Sequence, residues 1–86
     1  MEISEQRIDN WLYRLRFTKT RAISQNIIKD GNVRINKFKI YKPSIKIKFG
    51  DIITINLNKQ TLVVMVYGFT KRRLNYKKAQ ELYKIL

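Results

Sequence analysis

The chain has 86 residues, which fits one domain and leaves no length for a separate catalytic module. It lacks cysteine and histidine, so disulfides, thiolate zinc sites and the usual general base are excluded, and we expect no catalytic residue, no cofactor and no metal. The 19 lysines and arginines outnumber the 6 acidic residues, and the resulting net charge of +13 favours an anionic partner.

The first predicted element is an amphipathic helix over residues 7–16. Four apolar residues recur there at i, i+3, i+4 and i+7, the spacing of one side of a helix: Ile8, Trp11, Leu12 and Leu15. We therefore expect Trp11 in the core. Asp9 falls in the first turn, where a carboxylate suits the helix dipole, and we expect it to pair with a neighbouring arginine.

A second helix is predicted to begin after Thr18 or Thr20, either of which can cap it, and to run to about Asp30. Gly31 is then placed to end the helix in the left-handed conformation. One side of this helix carries no acid. It consists of Lys19, Ala22, Gln25, Asn26 and Lys29, and Arg21 stands at its border. Such a helix start offers backbone N–H groups and fixed cations to a phosphate.

After this helix the apolar residues recur at every second position instead of at helical spacing. This alternation predicts a hairpin with strands near residues 33–35 and 38–40. Asn36 and Lys37 have turn character. Because a tight two-residue turn needs positive φ at both central positions, and Lys37 disfavours it, we expect a longer tip.

Three more strands are predicted over residues 45–49, 52–57 and 60–66 from alternating or β-branched sequence, and the sheet is expected to end with the last of them. Asn75 is then placed to cap a final helix. Four residues give that helix its apolar period: Ala79, Leu82, Tyr83 and Leu86.

Five short blocks and their spacing carry a resemblance to a known family. They are Arg7-Ile8-Asp9-Asn10-Trp11-Leu12, Phe17-Thr18-Lys19-Thr20-Arg21-Ala22, Gly31-Asn32-Val33-Arg34-Ile35-Asn36, Lys42-Pro43-Ser44 and Gly50-Asp51. With them the chain resembles the S4 RNA-binding domain, also called the alpha-L motif. The opening block, the start of the second helix and a tail with Arg72-Arg73, Ala79 and Leu82-Tyr83 look most like the ribosome-associated heat-shock protein group. That group is similar to the short bacterial ribosome quality-control factors.

The resemblance implies an α+β fold in which two N-terminal helices pack on a small antiparallel sheet, followed by a C-terminal helix. Residues 1–86 would form a single RNA-binding domain, with the core motif at about 7–57 and the C-terminal strand and helix at about 60–86. It implies non-catalytic binding of structured RNA: ribosomal RNA of the large subunit, with peptidyl-tRNA contact, in translation rescue or ribosome quality control. The ribosome is the expected partner, and a monomer is expected because like charge opposes self-association.

The positions that the resemblance assigns to RNA are Lys19, Arg21, Lys29, Arg34, Asn36, Lys39 and Lys42. We expect the same surface to include Arg7, Arg16, Thr20, Gln25 and Lys37. Residues 14–48 hold eleven basic residues against one acid, which locates the positive charge in this part of the chain. Lys71, Arg72 and Arg73 are either a second RNA contact or a charged entrance to the last helix.

Because A-form RNA hides its base edges in a deep major groove, we expect contacts to phosphates and 2′-hydroxyls. About four to six phosphate contacts are predicted, and hence a slope of log affinity against log salt of about −3 to −5.

Two other functions remain open. The chain could be a targeting module for an RNA-modifying enzyme that is a separate partner, or a binder of DNA or a membrane surface through charge alone. No apolar run approaches the roughly 18 residues of a membrane span, and residues 1–5 lack the layout of a secretory signal, so we expect a cytoplasmic protein without a membrane partner.

Overall fold

The computed structural model describes residues 3–86; Met1 and Glu2, the first two positions of the segment compared with a secretory signal, lie outside the described residues. The chain enters through a short strand, β1 (Glu5–Arg7), that the sequence does not predict. Helix α1 follows directly (Ile8–Arg14). It is shorter than the predicted 7–16 because Arg16 has a φ of 65°, which a continuing right-handed helix does not allow.

Helix α2 spans Arg21–Lys29, and its start and end follow the predicted capping rules. Of the two candidate caps, Thr20 is the one used: its hydroxyl accepts a hydrogen bond from Ile23 N at 3.1 Å. The Thr18 hydroxyl instead hydrogen-bonds the Ser24 hydroxyl. Gly31 has a φ of 78° and ends the helix as expected. No helix within residues 3–86 is long and apolar enough to cross a membrane.

Five antiparallel strands form the main sheet. In chain order they are β2 (Val33–Ile35), β3 (Phe38–Ile40), β5 (Ile52–Leu57), β6 (Gln60–Val66) and β7 (Tyr83–Ile85). Their spatial order is β3-β2-β5-β6-β7. The remaining strand, β4 (Lys46–Lys48), pairs with β1 in a separate two-stranded sheet. The α+β class expected from the sequence is confirmed.

The hydrophobic core lies between the two helices and one face of the main sheet. Its fully buried side chains include Ile8, Trp11, Leu12, Ile28, Ile53, Ile55, Val64 and Val66. Trp11 is a core residue as predicted, and its indole N–H donates to the carbonyl of Gly68 at 3.0 Å. Strand alternation places the side chains between these buried ones on the opposite, outer face of the sheet.

The expected longer hairpin tip is wrong. Ile35 lies directly opposite Phe38, so the turn has two residues. Asn36 and Lys37 adopt left-handed φ values of 50° and 76°. Asn36 tolerates this conformation and is also anchored: Ile52 N donates to its Oδ1 at 2.9 Å. This contact with a distant strand holds the turn and forces Lys37 into a conformation that its sequence alone disfavours.

The C-terminal helix is also shorter than predicted. Asn75 caps helix α3 (Tyr76–Ala79) as expected, its side chain accepting from Lys78 N at 2.8 Å, but a 3₁₀ turn follows (Gln80–Leu82) and then strand β7. The predictions that the helix reaches Leu86 and that the sheet ends with β6 are therefore wrong. Strand β7 pairs with the edge of β6, whose backbone N–H and C=O groups need partners.

Candidate nucleic-acid interface

Three of the predicted RNA-binding residues follow one another along α2. Arg21, Gln25 and Lys29 are spaced by four residues, so their side chains lie on the same side of the helix. Arg21 and Lys29 are exposed, whereas Gln25 is half-buried. The Gln25 amide donates from Nε2 to Oδ2 of Asp9 at 3.2 Å, which ties the middle of this row to α1.

Asp9 also forms a bidentate ion pair with Arg7, another of the predicted RNA-binding residues. Arg7 Nε lies 3.1 Å from Asp9 Oδ1, and Nη2 lies 2.9 Å from Oδ2. The Asp9 side chain is fully buried, while 42% of the Arg7 side chain remains exposed. The pairing predicted for Asp9 is confirmed, and one carboxylate thus orients both Arg7 and Gln25 towards the same region of the surface.

The segment after β3 brings Lys42 to this region. Ile8 N donates to the carbonyl of Ile45 at 2.8 Å, and Asp9 N lies 3.4 Å from the carbonyl of Pro43. The chain therefore passes alongside the start of α1 just after Lys42, whose side chain is exposed. Lys42 and Arg7 consequently occupy the same end of α1.

The hairpin carries a second group of cations. Arg34 on β2 lies directly opposite Lys39 on β3, both are exposed, and both belong to the outer face of the sheet. Lys39 also reaches the end of α2. A Cβ placed on Gly31 would lie 3.3 Å from Lys39 Cδ and 2.8 Å from Cε1 of Tyr41, so both side chains cover this glycine. The hairpin cations thus adjoin the C-terminal end of α2.

We call these seven residues the helix–hairpin surface: Arg7, Arg21, Gln25, Lys29, Arg34, Lys39 and Lys42.

Two predicted residues at the tip of the hairpin have different surroundings. Both polar atoms of the Asn36 amide have partners within the protein: Nδ2 donates to Asp51 Oδ1 at 3.0 Å, and Oδ1 accepts from Ile52 N. Lys37 is exposed, and its carbonyl lies 3.4 Å from Arg34 Nη1. Asn36 therefore shapes the turn, and Lys37 is the side chain that the turn presents.

At the other end of α2, Thr20 is occupied as the helix cap, and Lys19 beside it is exposed. Arg16 lies apart from the helix–hairpin surface. Its Nε donates to the carbonyl of Leu74 at 2.6 Å, so Arg16 links the turn after α1 to the segment before α3.

That segment, residues 67–75, which we call the C-terminal strap, is held by side chains from the start of the chain. The carbonyl of Thr70 accepts from Gln6 Nε2 at 2.7 Å and from Arg14 Nη1 at 3.1 Å. Leu74 N donates to the carbonyl of Arg14 at 3.0 Å. The strap is therefore fixed along α1 although it has no regular secondary structure.

The basic cluster within the strap divides by role. Arg73 donates from Nε to the carbonyl of Tyr13 and from Nη2 to the carbonyl of Thr18, each at 3.2 Å, and its guanidinium lies 4.6 Å from the centre of the Tyr13 ring. These contacts make Arg73 a structural residue. Lys71 and Arg72 are exposed.

Most of the positive charge has no acidic neighbour. Within residues 3–86, two ion pairs are present: Arg7 with Asp9, and Lys46 with Glu5 at 3.4 Å. The second joins two partly exposed side chains and contributes little to stability. Among the other cations of the described residues, Arg14, Arg16 and Arg73 donate to backbone carbonyls. Exposed lysines and arginines such as Lys19, Arg21 and Lys29 are accessible to an external anion.

The sequence did not indicate one feature of the surface, a pair of exposed aromatic rings. Phe49 follows buried Ile47 in alternation, which places it on the buried side of a strand. The strand ends at Lys48, however, and Gly50 turns the chain with a φ of 89°. Phe49 is therefore 68% exposed and stacks on Tyr67. The glycine and the acid after Phe49 were the available signal for this early turn.

Comparison with known proteins identifies relatives of this chain. The family model of the S4 domain matches residues 6–53. The small ribosomal subunit protein uS4 of Acidobacterium capsulatum is 39% identical over 64 residues, which are 74% of this chain and 31% of that protein. For uS4 of a Sulfurihydrogenibium species the identity is 36% over 72 residues, covering 84% and 35%. The chain thus spans about a third of the length of these curated relatives.

A similar solved structure extends over nearly the whole chain. The trimeric structure of heat shock protein 15 from Vibrio cholerae matches with a TM-score of 0.89 and 30% sequence identity. The match covers 95% of this chain and 82% of that protein. The similarity therefore extends beyond the segment that the S4 family model matches.

Proposed function

The chain belongs to the S4 domain family, and on this premise we propose that it is a non-catalytic protein that binds structured RNA of the ribosome. The observation that supports the proposal best is the helix–hairpin surface, in which α2 and the hairpin meet at Gly31. Its basic side chains are the ones a polyphosphate backbone would attract. The cytoplasm is the compartment we propose, since ribosomes work there.

The surface suits the backbone and shape of RNA better than its sequence. Arg7 is oriented in advance by Asp9, so less side-chain freedom is lost when its guanidinium contacts a phosphate. The cations of α2 lie on one side of the helix, and those of the hairpin lie on the two outermost strands at this side of the sheet, β3 and β2. Such rows match phosphates and 2′-hydroxyls across a minor groove.

We further propose that the target is ribosomal RNA of the large subunit, with contact to peptidyl-tRNA, and that the protein acts in translation rescue or quality control. The similarity to heat shock protein 15 over 95% of the chain supports a ribosome-associated factor of this kind. The structure of that protein is trimeric. For this chain we propose a monomer, because a charge of +13 opposes self-association.

The proposal is tested with the double variant Arg21→Glu/Arg34→Glu, which changes one residue on α2 and one on the hairpin. We expect it to lose ribosome association on sedimentation and to bind duplex RNA at least tenfold more weakly. Lys84→Glu, an exposed position on β7 at the opposite edge of the sheet from β3, changes charge away from the helix–hairpin surface and is the matched control. Association of the double variant equal to that of wild type contradicts the proposal.

Competition between duplex RNA, tRNA and duplex DNA at one salt concentration separates the alternatives. We expect both RNAs to compete better than DNA. Equal competition by DNA would indicate a binder that recognises charge alone. Co-purification with an RNA-modifying enzyme, without sedimentation on ribosomes, would indicate a targeting module.

A further inference from the structure

Two large aromatic side chains lie side by side on the surface next to the hairpin. The rings of Phe49 and Tyr67 have centroids 6.0 Å apart and planes 15° apart, and they are 68% and 42% exposed. Single exposed apolar residues are common and need no explanation. A nearly parallel pair of exposed rings is less common, and neither ring belongs to the hydrophobic core cluster.

The backbone holds the pair in place. Gly50 N donates to the carbonyl of Val66 at 2.8 Å, which joins the residue after Phe49 to the residue before Tyr67. Tyr67 N donates to the carbonyl of Leu82 at 2.8 Å. Both rings thus extend from backbone that is hydrogen-bonded to the main sheet, so a ligand that stacks there meets an arranged surface.

A cleft opens beside the two rings. It has a volume of about 600 Å³ and is lined by Ile3, Ser4, Phe49, Tyr67, Gly68 and Phe69. This volume exceeds that of a nucleobase, and the lining combines aromatic rings with a hydroxyl and backbone groups. A flat heterocycle could lie against the aromatic wall and still reach a hydrogen-bonding partner.

The segments on either side of Phe49 along the chain carry a cation or contact the basic hairpin. Lys48 directly precedes Phe49 and is exposed. Asp51, two residues after Phe49, accepts a hydrogen bond from Asn36 at the tip of the hairpin, where Lys37 is presented. A nucleic-acid strand that extends beyond the tip of the hairpin would therefore meet the two rings.

We propose that Phe49 and Tyr67 form a stacking site for an unpaired nucleobase of the RNA, next to the helical part that the hairpin contacts. The inference rests on the proposed function, because the hairpin must hold the RNA for a base to reach the rings. Stacking on aromatic side chains accepts every base, since each has a π-face. The site recognises a single-stranded end, bulge or loop, and it adds no preference for sequence.

The test compares two probes with the full chain at one salt concentration. The first is a blunt 12-base-pair RNA duplex, and the second is the same duplex with a 3′ overhang of three adenosines. We expect wild type to bind the overhang probe at least about fivefold more tightly, the lower end of what one stacked base contributes. In Phe49→Leu/Tyr67→Leu the preference disappears while affinity for the blunt duplex is unchanged, because leucine keeps the apolar area but has no π-face.

Tyr76→Leu is the matched control, since Tyr76 is an exposed aromatic residue on α3 outside the cleft. We expect it to keep the overhang preference. Melting temperatures of all three proteins, measured alongside, show that the exposed substitutions leave the fold intact.

The other outcomes separate the two proposals. If wild type binds neither probe, RNA binding and the stacking site are both refuted. If wild type binds both probes equally, or the double variant keeps the preference, the stacking site alone is refuted. If light scattering shows that wild type is an oligomer and the double variant is not, and the variant keeps the preference, the rings contact a second protein chain instead of a base. The stacking site is refuted in that case as well.

Discussion

Arg7 and Asp9 form a two-point ion pair across the start of α1, with the carboxylate fully buried and the guanidinium partly in solvent. Asn10 N also donates to Asp9 Oδ1 at 2.8 Å, and Gln25 of α2 donates to Oδ2. All donors thus converge on one acid, which joins the two helices and orients two residues of the helix–hairpin surface.

Asp9→Asn replaces the buried charge by an amide that cannot accept the same set of hydrogen bonds. We expect the free energy of unfolding to fall by about 1.5–3 kcal/mol, the usual contribution of hydrogen bonds to a charged group. Urea denaturation followed by circular dichroism measures it. Asp30→Asn changes an exposed acid at the end of α2 and should shift the midpoint little. A similar midpoint for wild type and Asp9→Asn contradicts the role given to Asp9.

Arg73→Lys tests whether the strap is held by a guanidinium rather than by a positive charge. Lysine cannot reach two carbonyls with a planar fork or stack on Tyr13 in the same way, so we expect a loss of about 1–2 kcal/mol in stability. Arg72→Lys, at the exposed neighbouring position, should have the stability of wild type. Thermal unfolding compares the two, and equal melting temperatures would show that the strap does not depend on Arg73.

Lys37→Gly separates the folding role of the hairpin tip from its charge. With a φ of 76° at this position, glycine relieves backbone strain, and we expect stability to rise by about 0.5–1 kcal/mol. The same change removes an exposed cation, so affinity for duplex RNA should fall two- to fivefold. Denaturation and RNA titration on one sample measure both effects. If the variant is less stable than wild type, the claim that Lys37 strains the backbone is wrong.

The number of phosphate contacts is read from salt dependence. For duplex RNA we expect a slope of log affinity against log salt between about −3 and −5. Arg21→Gln should reduce the magnitude by about one, whereas Lys84→Gln on β7, at the opposite edge of the sheet from β3, should leave it unchanged. Fluorescence anisotropy at several salt concentrations provides the slope. A value near zero for wild type is incompatible with the proposed interface.

Alkaline pH should weaken the attachment of the C-terminal strand. Burial, and secondarily the neighbouring Tyr76, raises the pKa of Tyr83 above its ordinary value. The neutral phenol is thus favoured by folding, so its contribution to stability is complete below about pH 10 and is lost as the pH rises through the pKa of the folded state. Tyr83→Phe removes this titration but keeps the ring beside Phe17. We expect wild type to lose more stability than Tyr83→Phe between pH 9 and pH 11.5, as measured by urea denaturation.

Local rules predicted the elements whose signals lie within a few residues. Thr20 is an N-cap, Gly31 ends α2, and the strands of the hairpin follow the two-residue alternation. The helical period placed Trp11 in the core for the same reason. In each of these cases the nearest neighbours along the chain decide the conformation.

Tertiary contacts decided the rest. Tyr83 continues the helical spacing that begins at Ala79, and a strand of three residues, Tyr83–Ile85, is too short to show alternation. This segment is nevertheless a strand because it pairs with the edge of β6. Strand β1 is equally short and exists through its pairing with β4. The same holds for the candidate site. Arg16 and Arg73 were indicated by their charge and Asn36 by the family resemblance, yet hydrogen bonds to distant carbonyls or side chains occupy all three.

Arg34 and Lys39 face each other across neighbouring strands, an arrangement that destabilises a hairpin when no anion lies between the two charges. The backbone amides of β2 and β3 should therefore exchange with deuterium faster in the unbound protein than those of β5 and β6. A polyanion that neutralises both side chains removes this repulsion. Its binding should therefore slow deuterium exchange in β2 and β3, although it contacts their side chains and not their backbone. The exchange rate of the hairpin amides thus indicates whether an anion is bound at the helix–hairpin surface.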